Sequence, residues 1–232
     1  MTVERAVGYD ELPGGSGADA PERTGVMKDY YERYWTPDAR MPQHSALLAE
    51  RLNLLSACLT TRGVHNALEV GCGRGEVVAH LRDAGIDALG MDISETAVRL
   101  ASGRHPGCRF VCHPVETRPW PGGVAAHDLV VSFEVIEHLL EPRDLLAGAC
   151  EALRSGGFLA LTTPFHGLAK NLVLAMRGFD RHFQVNGPHI RFFSDGALAR
   201  MLDETGFDIV RVRHFGRFPP LSAGVFVWAR KR

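Results

Sequence analysis

From Asn66 onward, short apolar runs alternate with longer amphipathic stretches along the chain. Each apolar run is rich in residues that favour strands and is bounded by turn residues. These runs predict buried parallel strands at Ala67–Val70, Ala88–Met91, Phe110–Cys112, Leu129–Phe133 and Phe158–Thr162. The stretches between them have helical periodicity, as in Pro142–Arg154, which the glycines at 156 and 157 follow. This alternation predicts a doubly wound parallel sheet.

The two ends of the chain depart from this alternation. Residues 1–25 predict a flexible leader, because the glycine-, proline- and charge-rich part cannot bury enough apolar surface. N-terminal helices are predicted within residues 26–62, where leucines recur at helical spacing. Near the other end, Asp208–Arg213 and Gly224–Ala229 predict two strands without a helix between them, and hence an antiparallel C-terminal pair. The predicted fold is α/β and Rossmann-like, a doubly wound, seven-stranded mixed sheet in a single domain over residues 26–232.

Composition narrows the class of partner. The chain has 232 residues, 45% of them hydrophobic and 23% charged, and a formal net charge of -1. This charge gives no basic field for nucleic acid, so we expect a small molecule as the partner instead. The five cysteines lack paired-ligand spacing, and no apolar run is long enough to span a bilayer. We expect a cytoplasmic protein, and the sequence leaves a homodimer open.

The strongest local signal is the segment LEVGCGRGEV, residues 68–77, where a strand runs into Gly71, Gly73 and Gly75 and then into a helix. Glycines at this spacing let the backbone turn tightly against a ligand, with the N–H groups of the helix start exposed. Asp92 ends the next strand, where a carboxylate can accept hydrogen bonds from ribose hydroxyls. The alternative for Asp92 is a helix cap. The loop alone also fits an NAD(P)-dependent oxidoreductase, although those enzymes use the spacing G-x-G-x-x-G.

In these segments the chain resembles the class I S-adenosylmethionine-dependent methyltransferases, whose first motif, E/D-x-G-x-G-x-G, matches Glu69 and the three glycines. The segment FEVIEHLLEP, residues 133–142, looks like the ubiquinone-biosynthesis O-methyltransferase group and its bacterial small-molecule relatives. The resemblance implies methyl transfer from S-adenosyl-L-methionine to an oxygen or nitrogen of a small acceptor, as in natural-product or quinone-type biosynthesis. The cofactor site that it implies comprises Glu69, Gly71, Cys72, Gly73, Asp92, Ile93, Val115, Glu116 and Phe133. One departure is that many relatives have an aspartate near Pro114, which this chain lacks.

The end of the predicted fourth strand carries a second cluster, Glu134, Glu137 and His138. Their spacing of i, i+3 and i+4 puts all three on one face if the segment is helical. Two carboxylates and an imidazole are a ligand set for Mg, Mn, Fe or Zn, and such a metal lowers the pKa of an acceptor hydroxyl. By resemblance to the small-RNA 2′-O-methyltransferases, His189 is the expected fourth ligand. The alternative is that the Glu and His side chains pin the helix without a metal.

Catalysis without a metal needs a general base, and the candidates are Glu137, His138 and His166. His166 follows the predicted fifth strand, and an imidazole titrates near neutrality. Residues 165–191 are too long for a simple connection, so we predict a lid that binds the acceptor. This lid combines apolar with polar side chains: Leu168, Leu172, Met176, Phe179, Arg181, His182, Gln184, Asn186 and His189. An aromatic group in the N-terminal helix, Tyr30, Tyr31, Tyr34 and Trp35, either closes the other side or belongs to the core.

Three other functions stay open on the sequence alone. A metal-assisted 2′-O-methyltransferase of RNA ends is disfavoured because no basic domain is present. An NAD(P)-dependent oxidoreductase is disfavoured by the glycine spacing and the C-terminal strand pair. A non-catalytic nucleotide-binding module is disfavoured because Glu69, Asp92, Glu137 and His138 are all in place.

Overall fold

The structure, a computed structural model, describes residues 20–35, 45–59, 63–177 and 189–232. Most of the predicted leader and the predicted lid residues Phe179, Arg181, His182, Gln184 and Asn186 lie outside these ranges. The first described helix begins at Ala20, inside the segment predicted as leader. No helix in the described ranges combines the length and the apolar content that crossing a membrane requires.

The central element is a seven-stranded sheet with the order β3-β2-β1-β4-β5-β7-β6. The strands are β1 Asn66–Val70, β2 Asp87–Asp92, β3 Arg109–Cys112, β4 His127–Phe133, β5 Leu153–Pro164, β6 Phe207–Phe215 and β7 Gly224–Lys231. The first five strands pair in parallel, whereas β7 pairs antiparallel with both β5 and β6. The sequence prediction of a seven-stranded mixed sheet with an antiparallel C-terminal pair is therefore confirmed.

Seven helices lie in the described part of the chain. They are α1 Ala20–Tyr34, α2 Ser45–Leu59, α3 Glu76–Asp83, α4 Glu95–Arg104, α5 Pro142–Ala152, α6 Leu168–Arg177 and α7 Asp195–Glu204, with a 3-10 turn at Ile136–His138. Of these, α3, α4 and α5 connect successive parallel strands. The prediction that α5 continues to Arg154 is wrong, because Leu153 already pairs with His127 in the sheet. Helical periodicity continued past the true end of α5 because strand pairing depends on residues distant in sequence.

Alternate residues of each strand point to opposite faces of the sheet, and both faces are covered by helices. On one face Leu68, Val130 and Leu159 pack with α5. On the other, Leu129 and Trp228 pack with α2 and α3. Every residue of β4 is buried as a result. The strand order reverses between β1 and β4, so a crevice opens where their carboxyl ends diverge, which is where ligands bind in open α/β sheets.

Candidate active site

The loop from β1 to α3 contains three glycines whose backbone lies in the left-handed region of φ/ψ space. Gly71, Gly73 and Gly75 have φ values of 73°, 48° and 82°. The N–H groups of Gly71 and Cys72 both donate to the carbonyl of Met91, at 2.8 and 3.0 Å, which ties the loop to β2. A Cβ on Gly71 would collide with the side chain of Val135. The predicted need for glycine thus has a conformational and a steric cause.

A cavity of about 610 Å³ lies at the carboxyl ends of the parallel strands. Every residue predicted to bind the cofactor lines it, namely Glu69, Gly71, Cys72, Gly73, Asp92, Ile93, Val115, Glu116 and Phe133. Its wall also contains Glu134, His138 and His189 from the second predicted cluster. The structure therefore brings the predicted cofactor residues and much of the predicted catalytic cluster to one cavity.

Glu69 is a buried carboxylate at the end of β1. Its Oε2 accepts a hydrogen bond from the backbone N–H of Val78 in α3, at 3.1 Å. Burial raises the pKa of Glu69 well above its ordinary value, and the nearby charge of Glu76 adds to this effect. This hydrogen bond ties the end of β1 to α3 beside the glycine loop, and burial disfavours the ionised form of Glu69 unless a cationic ligand lies next to it.

Asp92 ties the end of β2 to both neighbouring segments. Its Oδ2 accepts from the N–H of Gly73 and its Oδ1 from the N–H of Ser94, each at 3.0 Å. Burial raises the pKa of Asp92, although these backbone hydrogen bonds oppose the rise. The N-cap of α4 is Ser94, whose side chain accepts from the N–H of Ala97, so the alternative of Asp92 as the cap is wrong.

The second cluster follows β4, and the structure separates its members. Glu134 has a φ of 57°, and only a 3-10 turn follows it, so the segment does not form the helix on which the three side chains would share one face. The Oε1 of Glu134 instead accepts from the hydroxyl of Thr162 at 2.9 Å. Its Oε2 lies 3.6 Å from the guanidinium of Arg51.

Glu137, His138 and His189 come together, with one ligand atom from each all within 4.8 Å of one another. Glu137 is fully buried; its Oε2 accepts from the hydroxyl of Thr163 at 3.0 Å, and its Oε1 has no hydrogen-bond partner. Burial raises the pKa of Glu137 well above its ordinary value, and the charge of Glu134 contributes. This arrangement of two imidazoles and a buried carboxylate could hold a divalent cation.

His189 lies over this cluster because the chain that follows it is anchored. The N–H groups of Ile190 and Arg191 donate to the carbonyl of Glu137, at 3.0 and 3.1 Å. The ring centroids of His189 and His138 are 4.9 Å apart. Although His189 is exposed overall, the burial that it has lowers its pKa, and the charge of Glu134 opposes the shift. A neutral imidazole is the form that binds a metal.

His166, the other predicted base, is placed elsewhere. It is buried beyond β5, where its Nδ1 lies 3.1 Å from the Oδ1 of Asn171 and its ring packs against Phe192. His166 is not one of the described residues that line the cavity. The structure therefore separates His166 from His138.

Two groups at the cavity add to what the sequence indicated. Arg51 of α2 was missed; it lines the cavity, and its Nε is buried without a hydrogen-bond partner. A single arginine in the leucine-rich segment SALLAERLNLLSACL was the available signal. Three residues of the predicted aromatic group line one side of the cavity, namely Tyr31 and Tyr34 of α1 and Trp35 directly after it. The hydroxyl of Tyr31 is buried without a hydrogen-bond partner, and its ring centroid lies 6.0 Å from that of His138.

A strand-end cavity with a glycine loop and a carboxylate on the next strand defines a nucleotide-type cofactor site on a doubly wound sheet. The chain belongs to the methyltransferase domain family, whose model matches residues 27–212. It is an S-adenosylmethionine-dependent methyltransferase enzyme, and S-adenosylmethionine is its cofactor. The family match supports neither an NAD(P)-dependent oxidoreductase nor an RNA-end enzyme.

Individual relatives agree with this class. A ubiquinone biosynthesis O-methyltransferase from Methylococcus capsulatus is 27% identical over 197 residues, which are 81% of each chain. The solved structure of a Burkholderia thailandensis 1,6-didemethyltoxoflavin-N1-methyltransferase superposes with a TM-score of 0.69 at 19% identity, over 91% of this chain and 89% of that one. Magnesium protoporphyrin IX methyltransferase from Synechocystis, solved with bound S-adenosylhomocysteine, gives a TM-score of 0.64 at 18% identity, over 90% of this chain and 99% of that one.

Proposed function

We propose that the protein transfers the methyl group of S-adenosylmethionine to an oxygen or nitrogen of a small-molecule acceptor. The observation that carries this proposal is the shared cavity, in which the cofactor residues and the Glu134, His138 and His189 side chains line one space of about 610 Å³. That volume suits a cofactor with a small partner. Two relatives support it by name, one in ubiquinone biosynthesis and one acting on a toxoflavin precursor.

The cofactor would lie along the glycine loop. Asp92 accepts hydrogen bonds from the ribose hydroxyls, since each of its oxygens can accept a second bond beside the backbone N–H it already holds. Glu69 faces the cationic end of the cofactor, and Val115 and Glu116 line the adenine end. Arg51, a half-buried cation with a free Nε–H, supplies the partner for the methionine carboxylate.

We propose that Glu137, His138 and His189 hold a divalent cation beside the acceptor. The donor set fits, because the buried Oε1 of Glu137 has no hydrogen-bond partner and lies 3.8 Å from the Nε2 of His138. A bound cation supplies a Lewis acid that lowers the pKa of an acceptor hydroxyl. Thr163 fixes the Glu137 carboxylate, and the Glu137 carbonyl fixes the chain that carries His189. Glu134, held by Thr162 and Arg51, is the less favourable ligand of the four predicted.

The acceptor would be covered by the lid of residues 165–191. Its described helix α6 has no buried residue, and Leu168, Leu172 and Met176 are largely exposed. An exposed apolar stripe of this kind is what a lid needs in order to bury an apolar acceptor. We also propose that residues 26–232 form a single catalytic domain. We propose that the protein is a homodimer, which light scattering would check. A cytoplasmic location is proposed as well, because the five free cysteines would stay reduced there.

A methyl-transfer assay tests the proposal. Labelled S-adenosylmethionine is offered with a panel of small phenols, hydroxyl compounds and amines, with and without EDTA. We expect turnover of at least one acceptor, its loss in EDTA and its restoration by one divalent ion, with S-adenosylhomocysteine binding unchanged. His189→Ala should reproduce the loss, whereas His214→Ala, on the exposed edge strand, should not. Turnover that ignores both EDTA and His189→Ala would refute the cation, and a protein that binds no S-adenosylhomocysteine would refute the function.

A further inference from the structure

Helix α1 makes a contact with α4 that lies outside the cavity. The carboxylate of Glu32 accepts hydrogen bonds from the backbone N–H groups of Glu95, at 2.6 Å, and Thr96, at 3.2 Å. Both N–H groups open α4, and the side chain of Ser94 accepts from the N–H of Ala97. The first N–H groups of a helix have no partner within it, and negative charge there is favoured by the helix dipole. Glu32 therefore completes the cap of α4 from a helix distant in sequence.

This capped helix start is continuous with the cofactor site. The N–H of Ser94, the N-cap residue, donates to the Oδ1 of Asp92 at 3.0 Å. The start of α4 and the carboxylate assigned to the ribose therefore form one hydrogen-bonded unit. An ion pair between Lys28 and Glu95, at 2.8 Å, also joins α1 and α4, but both side chains are exposed, so it contributes little to holding α1.

On the α1 side, the residues next to Glu32 enter the cavity. Tyr31 and Trp35 both line it, and the Trp35 ring lies 3.0 Å from the position that a Cβ on Gly73 would occupy. Glu32 itself does not line the cavity. A contact of α1 outside the cavity thus accompanies the placement of Tyr31, on α1, and of Trp35, directly after it, in the cavity wall.

We propose that Glu32 is a positioning residue that holds α1 across the cofactor cavity by docking on the first turn of α4. While Glu32 is docked, Trp35 stays over the glycine loop, Tyr31 stays in the cavity wall, and the cofactor is retained. When this contact is lost, α1 moves away more often and the cofactor dissociates faster. The proposal depends on the cofactor site alone, and not on the acceptor or the cation.

Both sides of the contact can be changed separately. Glu32→Gln removes the charge and one acceptor oxygen. Glu95→Pro removes the N–H donor at the first helical position, where proline is favoured, and Ser94 before it already has an extended backbone, with φ −92° and ψ 123°. Asp29→Asn is the control for charge, since Asp29 is an exposed acidic residue on the same helix. Glu95→Ala is the control for losing the ion pair with Lys28.

The affinity for S-adenosylhomocysteine is measured by calorimetry, and its dissociation rate by stopped-flow fluorescence. Trp35 lines the cavity, whereas the other tryptophans, Trp120 and Trp228, are buried in the core. We expect Glu32→Gln and Glu95→Pro each to raise Kd and the dissociation rate about fivefold, the factor that loss of a helix cap corresponds to. The double variant should show little further change, and both controls should stay near wild type.

A merely structural cap would give a different result. It would lower Tm in both variants while leaving Kd and the dissociation rate at wild-type values, and that outcome would overturn the proposal. Loss of binding in Asp29→Asn equal to that in Glu32→Gln would also overturn it, because net charge and not docking would then be the cause. These experiments measure only cofactor binding. A failure of this proposal can therefore be told apart from a failure of the acceptor or EDTA experiments.

Discussion

Replacing Gly71 by alanine tests whether the glycine loop is set by backbone conformation alone or also by packing. Gly71 has a φ of 73°, a region that costs an alanine about 1–2 kcal/mol. The new Cβ would also collide with Val135, and overpacking of this kind costs about 1–3 kcal/mol. We therefore expect Gly71→Ala to lower the free energy of unfolding by about 2–5 kcal/mol, the sum of the two effects.

Gly85 provides the matched control. Its φ is 81°, but a Cβ there would meet nothing within 4 Å. Gly85→Ala should therefore cost only about 1–2 kcal/mol. Urea unfolding followed by circular dichroism measures both variants, and Val135→Ala in the Gly71→Ala background should recover the part due to the collision. Equal losses for the two glycine variants, or no recovery with Val135→Ala, would refute the steric argument.

Further predictions concern single side chains at the cavity. His138→Gln should abolish labelled methyl transfer while His166→Gln retains most of it, because only His138 lines the cavity; equal losses would contradict this. Tyr31→Phe should lower kcat with Tm unchanged or slightly raised, since the buried hydroxyl has no hydrogen-bond partner to lose; an unchanged kcat would argue against its contact with a ligand. Burial raises the pKa of Glu69, so its contribution to stability is present at acid pH and is lost as the pH rises from the ordinary carboxyl range through the raised pKa. Glu69→Gln should therefore raise Tm at neutral pH and flatten its pH dependence, while weakening cofactor binding in calorimetry; an unchanged Tm at neutral pH would contradict this.

The sheet and the cofactor loop were predictable because their signals are local. Buried parallel strands are continuous apolar runs, and the glycines at 71, 73 and 75 are required by the φ values of their own residues. The start of β5 was not predictable in the same way. Leu153 continues the apolar stripe of α5, and what ends that helix is pairing with His127 in another strand.

The direction of Glu134 was unpredictable for a similar reason. Spacing alone put it beside Glu137 and His138, as on a helix. One residue with φ of 57° turns it away, towards Thr162 on β5 and Arg51 on α2. Arg51 escaped notice because a charged residue on an N-terminal helix is ordinarily a surface residue, and only its packing against Phe215 and the cavity makes it unusual.

The buried carboxylates explain why this site could be found from sequence at all. Glu69 and Asp92 end β1 and β2, where the surrounding strand residues are apolar, and Glu137 follows β4. Burial raises the pKa of each, because water would solvate the ionised form better than the folded protein does. Backbone N–H groups and threonine hydroxyls offset part of this cost, and a cationic ligand would offset more. A chain that carried these groups only for stability would do better with apolar residues, so their departure from the strand pattern is itself the signature of a ligand-binding site.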